Sequence, residues 1–371
     1  MTVVQLINPG AFGGIETVVT HLARALHQSA TPSATVAVLD VGAPVPQVVD
    51  LLASFGAPVE VVRVRPRRYL EEKSRIEWAL HRLSATVVHS HGYRMDVMSR
   101  VARRDASARW VTTLHGFCGG DLKNRFYEAL QLRSVRRADR VIAVSDSIGA
   151  RARDAGVNAR QIVVLPNAIA RPDFLSREVA REKLGLSNSR KWIGWVGRMS
   201  GEKDPELFVE TLRAISDRSV SAVMIGDGPI AAGIRERHAD LVESGRLVLA
   251  GVRPGAGAFM RALDALVLSS VTEGTPMVVL EAMQAGVPVV ATSVGGLPVL
   301  LSDDAGVLVS ERSATALSAA IVDILDDAQR AATVVQRATT RVQNVYALQP
   351  WIDRHLALYS ELSSMNGRRL L

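Results

Sequence analysis

A chain of 371 residues with 48% hydrophobic and 22% charged residues has the composition of a globular protein and the length of two domains, each able to bury a core. Its one cysteine, Cys118, excludes an internal disulfide framework or a cysteine-based zinc site and suits a reducing compartment. The net charge of +7 is unevenly placed: residues 1–170 hold 22 Lys+Arg against 14 Asp+Glu, and residues 171–371 hold 22 against 23.

The first residues read as a strand rather than a signal peptide, and no eighteen apolar residues run uninterrupted. The nearest, 287–301, is broken by Pro288, Gly295, Gly296 and Pro298. A cytoplasmic location is expected. The basic half contains Arg63, Arg65, Arg67, Arg68, Lys73 and Arg75 in one run, and Lys123, Arg125, Arg133, Arg136, Arg137 and Arg140 in another. Solvated helix faces, an anionic membrane surface at the inner face, and nucleic acid all fit such runs. Nucleic acid is set aside, because no recognised binding motif or interleaved stacking aromatics accompany the charge.

From the first residue, β-branched runs alternate with amphipathic helical patterns, which predicts parallel sheets covered by helices. The first half carries strands at 3–7, 35–39, 60–64, 86–90, 110–114, 140–144 and 162–165. Between the first two, Ile15, Val19, Leu22 and Leu26 fall at helical spacing, so the glycine-rich run 8–14 is a strand-to-helix turn. Its G-x-x-G-G spacing differs from the dinucleotide fingerprint G-x-G-x-x-G. Gly13 and Gly14 would still let a ligand approach the helix start. His89, His91, Tyr93, Arg94 and His115 follow or end strands, where open α/β sheets bind ligands. No set of ligand spacing accompanies the histidines, so no metal is expected.

The pattern lapses around 170–176, the expected interdomain connection. The second half repeats the plan, with strands at 191–197, 221–225, 246–251, 265–269, 287–291 and 306–309 and helices at 205–217, 230–243, 276–285 and 314–327. Two tandem sheets imply a cleft with the site in it. Arg198 and Lys203 lie in a loop after a strand, suited to neutralising a diphosphate by fork and point charge. In the same half, Glu273 and Glu281 flank a helix start at which Thr275 is a plausible N-cap and Pro276 the first helical residue. Free N–H groups near Met277 and Val278 would face an anion, with a glutamate on each side for hydroxyl-bearing groups. A last amphipathic helix, about 349–363, carries Trp351, His355, Leu358 and Tyr359 and is expected to pack back on the first domain.

These residues resemble the retaining glycosyltransferases of family 4, which have the GT-B fold of two Rossmann-like, doubly wound parallel-sheet domains facing a cleft. The resemblance covers nearly the whole chain. It rests on Gly13-Gly14, the His-Gly-Tyr-Arg-x-Asp run at 91–96, His115, 138–145, Pro166-Asn167, Gly197-Arg198 with Glu202-Lys203, Gly226-Asp227-Gly228-Pro229 and the E-x7-E pair Glu273 and Glu281. It implies an acceptor-binding domain at 1–170 and a nucleotide-sugar-binding domain at 171–348. By position, Arg198 and Lys203 would hold the diphosphate, Glu281 the ribose and Glu273 the donor sugar. Gly197 and the amides of Thr275, Pro276, Met277 and Val278 would complete that site, with Gly14 approaching from the other domain. His115 corresponds to the family's active-site histidine, and Gly13, His91, Tyr93 and Arg94 are acceptor-side candidates. The family often has Pro-Ser where this chain has Ser269-Ser270, expected to change only a strand end, and an acidic residue where it has Val299.

The expected reaction is transfer of a sugar from a nucleotide-diphosphate sugar to a hydroxyl of a glycan or lipid-linked saccharide in cell-surface or exopolysaccharide synthesis, with the anomeric configuration retained. No cofactor or metal is expected, since no Asp-x-Asp occurs. A GT-B-fold nucleotide-sugar epimerase and a non-catalytic nucleotide-sugar-binding protein are the alternatives. Glycoside hydrolysis is set aside because a raised pKa is disfavoured for a carboxylate beside an anion-binding helix start.

Overall fold

The computed structural model describes residues 1–10, 13–102, 108–116, 122–170, 173–217 and 219–367. Two compact units result: Met1–Asn167 with the segment from Leu348 on, and Ala168–Ala347. Each is a parallel sheet covered on both faces.

The first unit has β1 Val3–Ile7, β2 Ser33–Asp40, β3 Val59–Val64, β4 Val87–His91, β5 Arg109–Leu114, β6 Arg140–Ala143 and β7 Ile162–Val164, in the order β3-β2-β1-β4-β5-β6-β7. Every residue of β1 is buried. Val4 and Leu6 join Val36, Val38 and Val88 in one core, while Ile7 packs with Ala37, Val19 and Ala23 in another. That two-residue alternation between two cores is why the strand is an unbroken apolar run. The C-terminal helix, Leu348–Gly367, belongs to this unit and buries Trp351, Ile352, Leu358, Tyr359 and Leu362. Arg109 fastens its end by donating to the carbonyl of Met365 at 3.0 Å.

The second unit has β8 Lys191–Val196, β9 Val220–Ile225, β10 Leu247–Gly251, β11 Ala265–Leu268, β12 Val289–Thr292 and β13 Val307–Val309, ordered β10-β9-β8-β11-β12-β13. Ile193 and Trp195 face one core with Ala222 and Met224, and Trp192 faces the other with Val223 and Ile225. The helix expected at 230–243 is two pieces, Ala231–Arg237 and Ala239–Glu243, broken at His238. Glu206 Oε1 lies 2.6 Å from His238 Nε2 and Arg213 donates toward Nδ1 at 3.3 Å, holding that residue out of helical geometry.

Strand order reverses about β1 and β4 in one sheet and about β8 and β11 in the other. Those are the switch points at whose carboxyl ends doubly wound sheets take ligands.

Candidate functional site

In the second unit the loop leaving β8 is fixed on two sides. Met199 N–H donates to the Asp227 carbonyl at 2.9 Å, drawing in the turn after β9. On the other side Ser269 Oγ donates to the carbonyls of Lys203 and Asp204, at 3.1 and 2.6 Å, and Val271 N–H to that of Glu202 at 2.9 Å. Asp204 adopts a left-handed conformation, φ 45°, and caps the Pro205–Ala214 helix through the Leu207 amide. The loop therefore turns sharply beside the end of β11.

That turn delivers Lys203 to Glu273. Its ammonium donates to Oε1 at 2.7 Å and Oε2 at 2.8 Å, and Ser270 Oγ donates to Oε1 at 2.6 Å. The glutamate side chain is 4% exposed and the lysine 30%. A buried carboxylate so engaged is fixed in direction. Its backbone is fixed too: Gly296 N–H donates to the Glu273 carbonyl at 3.0 Å, and a Cβ on Gly295 would lie 1.9 Å from that oxygen. Only glycine fits at 295. Ser269 and Ser270 thus brace both charged residues, more than the strand-end change expected of them.

The helix begins one residue later than expected. Pro276 has ψ 121° and is the N-cap, so Met277 opens the helix Met277–Ala285 and Gly286, at φ 75°, ends it. Thr275 lies one residue further out. Proline carries no N–H, so Pro276 cannot be one of the anion donors; the amides of Met277 and Val278 have no partner among the described residues. Arg198 is exposed and its guanidinium is likewise unpartnered among them.

Glu281 sits one turn into that helix and contradicts the expectation of an undisturbed carboxylate. Burial pushes its pKa up to about 7, and no hydrogen bond or ion pair to another described residue opposes the shift. The cause is close packing: a Cβ on Gly257 would lie 2.7 Å from the Glu281 carboxyl carbon. Helix-start polarity is outweighed by desolvation a turn away.

In the first unit Gly13 caps the helix Gly14–Gln28 and donates to Glu16 Oε2 at 3.0 Å, while residues 11 and 12 lie outside the described residues. His115 Nε2 is 3.1 Å from His91 Nδ1. His91 is fully buried, which places it behind His115 rather than on an acceptor surface. His89 bonds Thr113 Oγ1 at 2.8 Å and Tyr359 hydroxyl at 2.7 Å, and stacks near His355 of the C-terminal helix. Burial holds His115 down to about 3 and His355 to about 4 and lowers His89 and His91 well below the ordinary imidazole value, with repulsion from the neighbouring rings adding to it, so the four rings are neutral at physiological pH. Arg94 is not free for an acceptor either: it donates to Glu72 at 2.8 and 3.1 Å and to Asp40 at 3.1 Å. Tyr93 is exposed and lies against Tyr127, ring centroids 5.3 Å apart.

The carboxyl ends of β8 and β11 thus gather Gly197, Lys203, Glu273, Thr275 and the Met277 helix start. Among the described residues no three His, Cys, Asp or Glu side chains are grouped to hold a metal. A surface groove of about 790 Å³ lies elsewhere, between 301–308 and the helix Ala328–Val345. Its Arg330 and Arg337 are paired with Asp323 and Asp304.

Residues 12–171 match the family model described as Glycosyltransferase Family 4, and residues 190–327 that described as Glycosyl transferases group 1. The chain belongs to the family 4 glycosyltransferases. Among relatives of this family, it is 26% identical over 257 residues to an Escherichia coli UDP-Gal:alpha-D-GlcNAc-diphosphoundecaprenol alpha-1,3-galactosyltransferase, covering 65% of this chain and 66% of the relative. It is 29% identical over 241 residues to a lipopolysaccharide core biosynthesis mannosyltransferase of Rhizobium meliloti, covering 62% and 67%. The chain thus spans about two thirds of the length of these relatives. The crystal structure of Anabaena HepE in complex with UDP and glucose superposes with a TM-score of 0.84 at 22% identity, over 97% of this chain and 100% of that one. At that identity the likeness establishes the GT-B glycosyltransferase fold.

The resemblance pointed to Glu273, Lys203 and Glu281 individually. Ser270 stands in the sequence only as a departure at a strand end, Gly295 only as a break in an apolar run and His355 only as a packing residue, and Gly257 carries no signal there. Gly257, Gly295 and His355 act on residues distant in sequence, and Ser270 on Glu273 three positions on.

Proposed function

We propose that this family 4 protein transfers a glycosyl group from a nucleotide-diphosphate sugar to a hydroxyl of a glycan or lipid-linked saccharide in cell-surface polysaccharide synthesis, with retention. The observation that carries the reading is the Lys203–Glu273 pair beside the free amides of Met277 and Val278. Amides and Arg198 suit a diphosphate; a buried carboxylate held in direction suits the hydroxyls of a sugar. The relatives' names, one a galactosyltransferase to a diphosphoundecaprenol-linked GlcNAc and one a mannosyltransferase of lipopolysaccharide core biosynthesis, support the acceptor class.

In the proposed step the bond from the anomeric carbon to the diphosphate oxygen breaks, its electron pair leaving with the diphosphate. The acceptor oxygen bonds the same face of that carbon, and its proton passes to a departing phosphate oxygen. Arg198, Lys203 and the helix amides stabilise charge as it develops on the leaving group. Glu273, aimed by Lys203 and Ser270, binds hydroxyls of the sugar. Glu281 takes those of the ribose, for which a carboxyl able to accept or donate near neutral pH is well suited. His115, neutral, serves as a hydrogen-bonding group for hydroxyls rather than a cation for phosphate. The protein binds its charged ligand through its own side chains and backbone.

The test is product analysis with a panel of nucleotide sugars and hydroxyl acceptors. First-turnover product should carry the donor's anomeric configuration by NMR; the opposite anomer would remove retention. A free epimerised sugar formed without acceptor would identify the epimerase instead.

A further inference from the structure

At the carboxyl end of the first sheet, segments following four different strands expose large apolar side chains together. Val41 follows β2, Tyr69 and Leu70 follow β3, Tyr93 follows β4 and Phe126 follows β5. Leu70 is 81% exposed, Phe126 65% and Tyr69 57%, a concentration that a monomeric surface rarely leaves bare. Named contacts tie these segments into one surface. Arg94, next to Tyr93, donates to Asp40 beside Val41 and to Glu72 in the first turn of the helix Tyr69–Arg82. Arg63 donates to the carbonyls of Asp40 and Ala43, at 3.3 and 2.7 Å. Tyr127, against Tyr93, carries Phe126 beside it with ring centroids 6.0 Å apart.

The charges around this surface are one-sided. Asp40 and Glu72 are occupied by Arg94, Glu71 by Arg75 at 2.9 Å, and Glu77 by Lys73 at 2.5 Å. Arg65, Arg67, Arg68 and Arg125 are exposed and have no ion-pair partner among the described residues. What remains free is cationic, interleaved with aliphatic and aromatic groups.

We propose that this surface, centred on residues 65–70, docks the first unit on an anionic lipid bilayer. Arginines meet phosphate headgroups, Tyr69, Tyr93 and Phe126 sit at the headgroup level, and Leu70 and Val41 enter the acyl boundary. Nucleic acid would satisfy the arginines but leaves Leu70 and Val41 without a gain, and Tyr93 already has a ring against it. This inference stands apart from the transferase reading, since none of its docking arginines belongs to the nucleotide site.

The test is co-sedimentation of the full chain with vesicles of phosphatidylcholine alone and of phosphatidylcholine with phosphatidylglycerol, at low and raised salt. Binding is expected only to the anionic vesicles and should fall as salt rises. Each arginine removed should weaken it about fivefold, so Arg65→Ser, Arg67→Ser and Arg68→Ser together should cost about a hundredfold. Leu70→Ser and Phe126→Ser, each made singly, should weaken vesicle binding while leaving affinity for inorganic polyphosphate unchanged. Absence of wild-type binding to the anionic vesicles at low salt would overturn the proposal, as would an unaltered triple variant. Unaltered vesicle binding by Leu70→Ser and Phe126→Ser, with polyphosphate displacing the vesicles, would identify a soluble polyanion site and equally overturn it. Nucleoside diphosphate affinity, measured on the same samples, should not move, which separates failure here from failure of the transferase reading.

Discussion

Lys203 and Glu273 are joined through both carboxylate oxygens, at 2.7 and 2.8 Å, by residues seventy positions apart. Truncating either leaves the other without its main partner. Lys203→Ala should destabilise the second unit by about 1–3 kcal/mol, a range discounted for the lysine's partial exposure. Glu273→Gln keeps the shape and Ser270's bond but loses the charge, so turnover should fall by about a hundredfold or more while nucleoside diphosphate affinity falls far less. Denaturant unfolding and steady-state kinetics with calorimetry check the two halves.

Glu281 makes stability depend on pH. Its pKa is raised from 4.5 to about 7 in the folded protein. The folded state therefore holds a proton that the unfolded state has released between those values, and stability should fall as pH rises through that window, then level off. Glu281→Gln should flatten the fall and gain about 1–3 kcal/mol relative to wild type at pH 8. Urea midpoints from pH 5 to 8 would show it; parallel profiles for the two proteins would contradict a buried, unpartnered carboxyl.

Gly257→Ala places a methyl against the Glu281 carboxyl, 2.7 Å from its carbon in the present geometry. The carboxyl must move, at about 1–3 kcal/mol. If Glu281 holds ribose, affinity should drop about tenfold for a nucleoside diphosphate but little for its 2′,3′-dideoxy analogue, corresponding to about 1.4 kcal/mol of lost discrimination. Titration with both ligands reads this directly.

The histidine cluster gives the opposite pH sign. His115 and His355 have pKa values lowered from 6.5 to about 3 and about 4, so between those limits the unfolded state binds protons that the folded state refuses. Stability should be full above about 6.5 and fall on acidification, by up to about 1.4 kcal/mol per pH unit for each group. His355→Gln should make the acid slope shallower, measured by urea unfolding from pH 7 to 4. An equally steep slope would mean that His355 does not titrate with unfolding.

Strands were legible because a parallel strand buried on both faces must be apolar at successive positions, as β1 is from Val3 to Ile7. The start of the Met277–Ala285 helix was legible to within one residue, since Pro276 and Gly286 punctuate it. The break at His238 was not, because Glu206 and Arg213 hold it from another helix. Nor is the charge state of Glu281, which burial sets and to which the close approach of Gly257 from another segment contributes. Nothing near Arg94 in sequence announces Asp40 and Glu72, which occupy its guanidinium. Local chemistry marked the charged residues; their partners came from the fold.

Calorimetric titration of nucleoside diphosphates into wild type and Lys203→Ala tests the proposed donor site most directly. Saturable one-to-one binding of at least one diphosphate is expected, weakened about tenfold or more by Lys203→Ala while both proteins remain folded. No binding of any nucleoside diphosphate to wild type, or equal affinity in the variant, would contradict the assignment of this loop and helix start as the donor site.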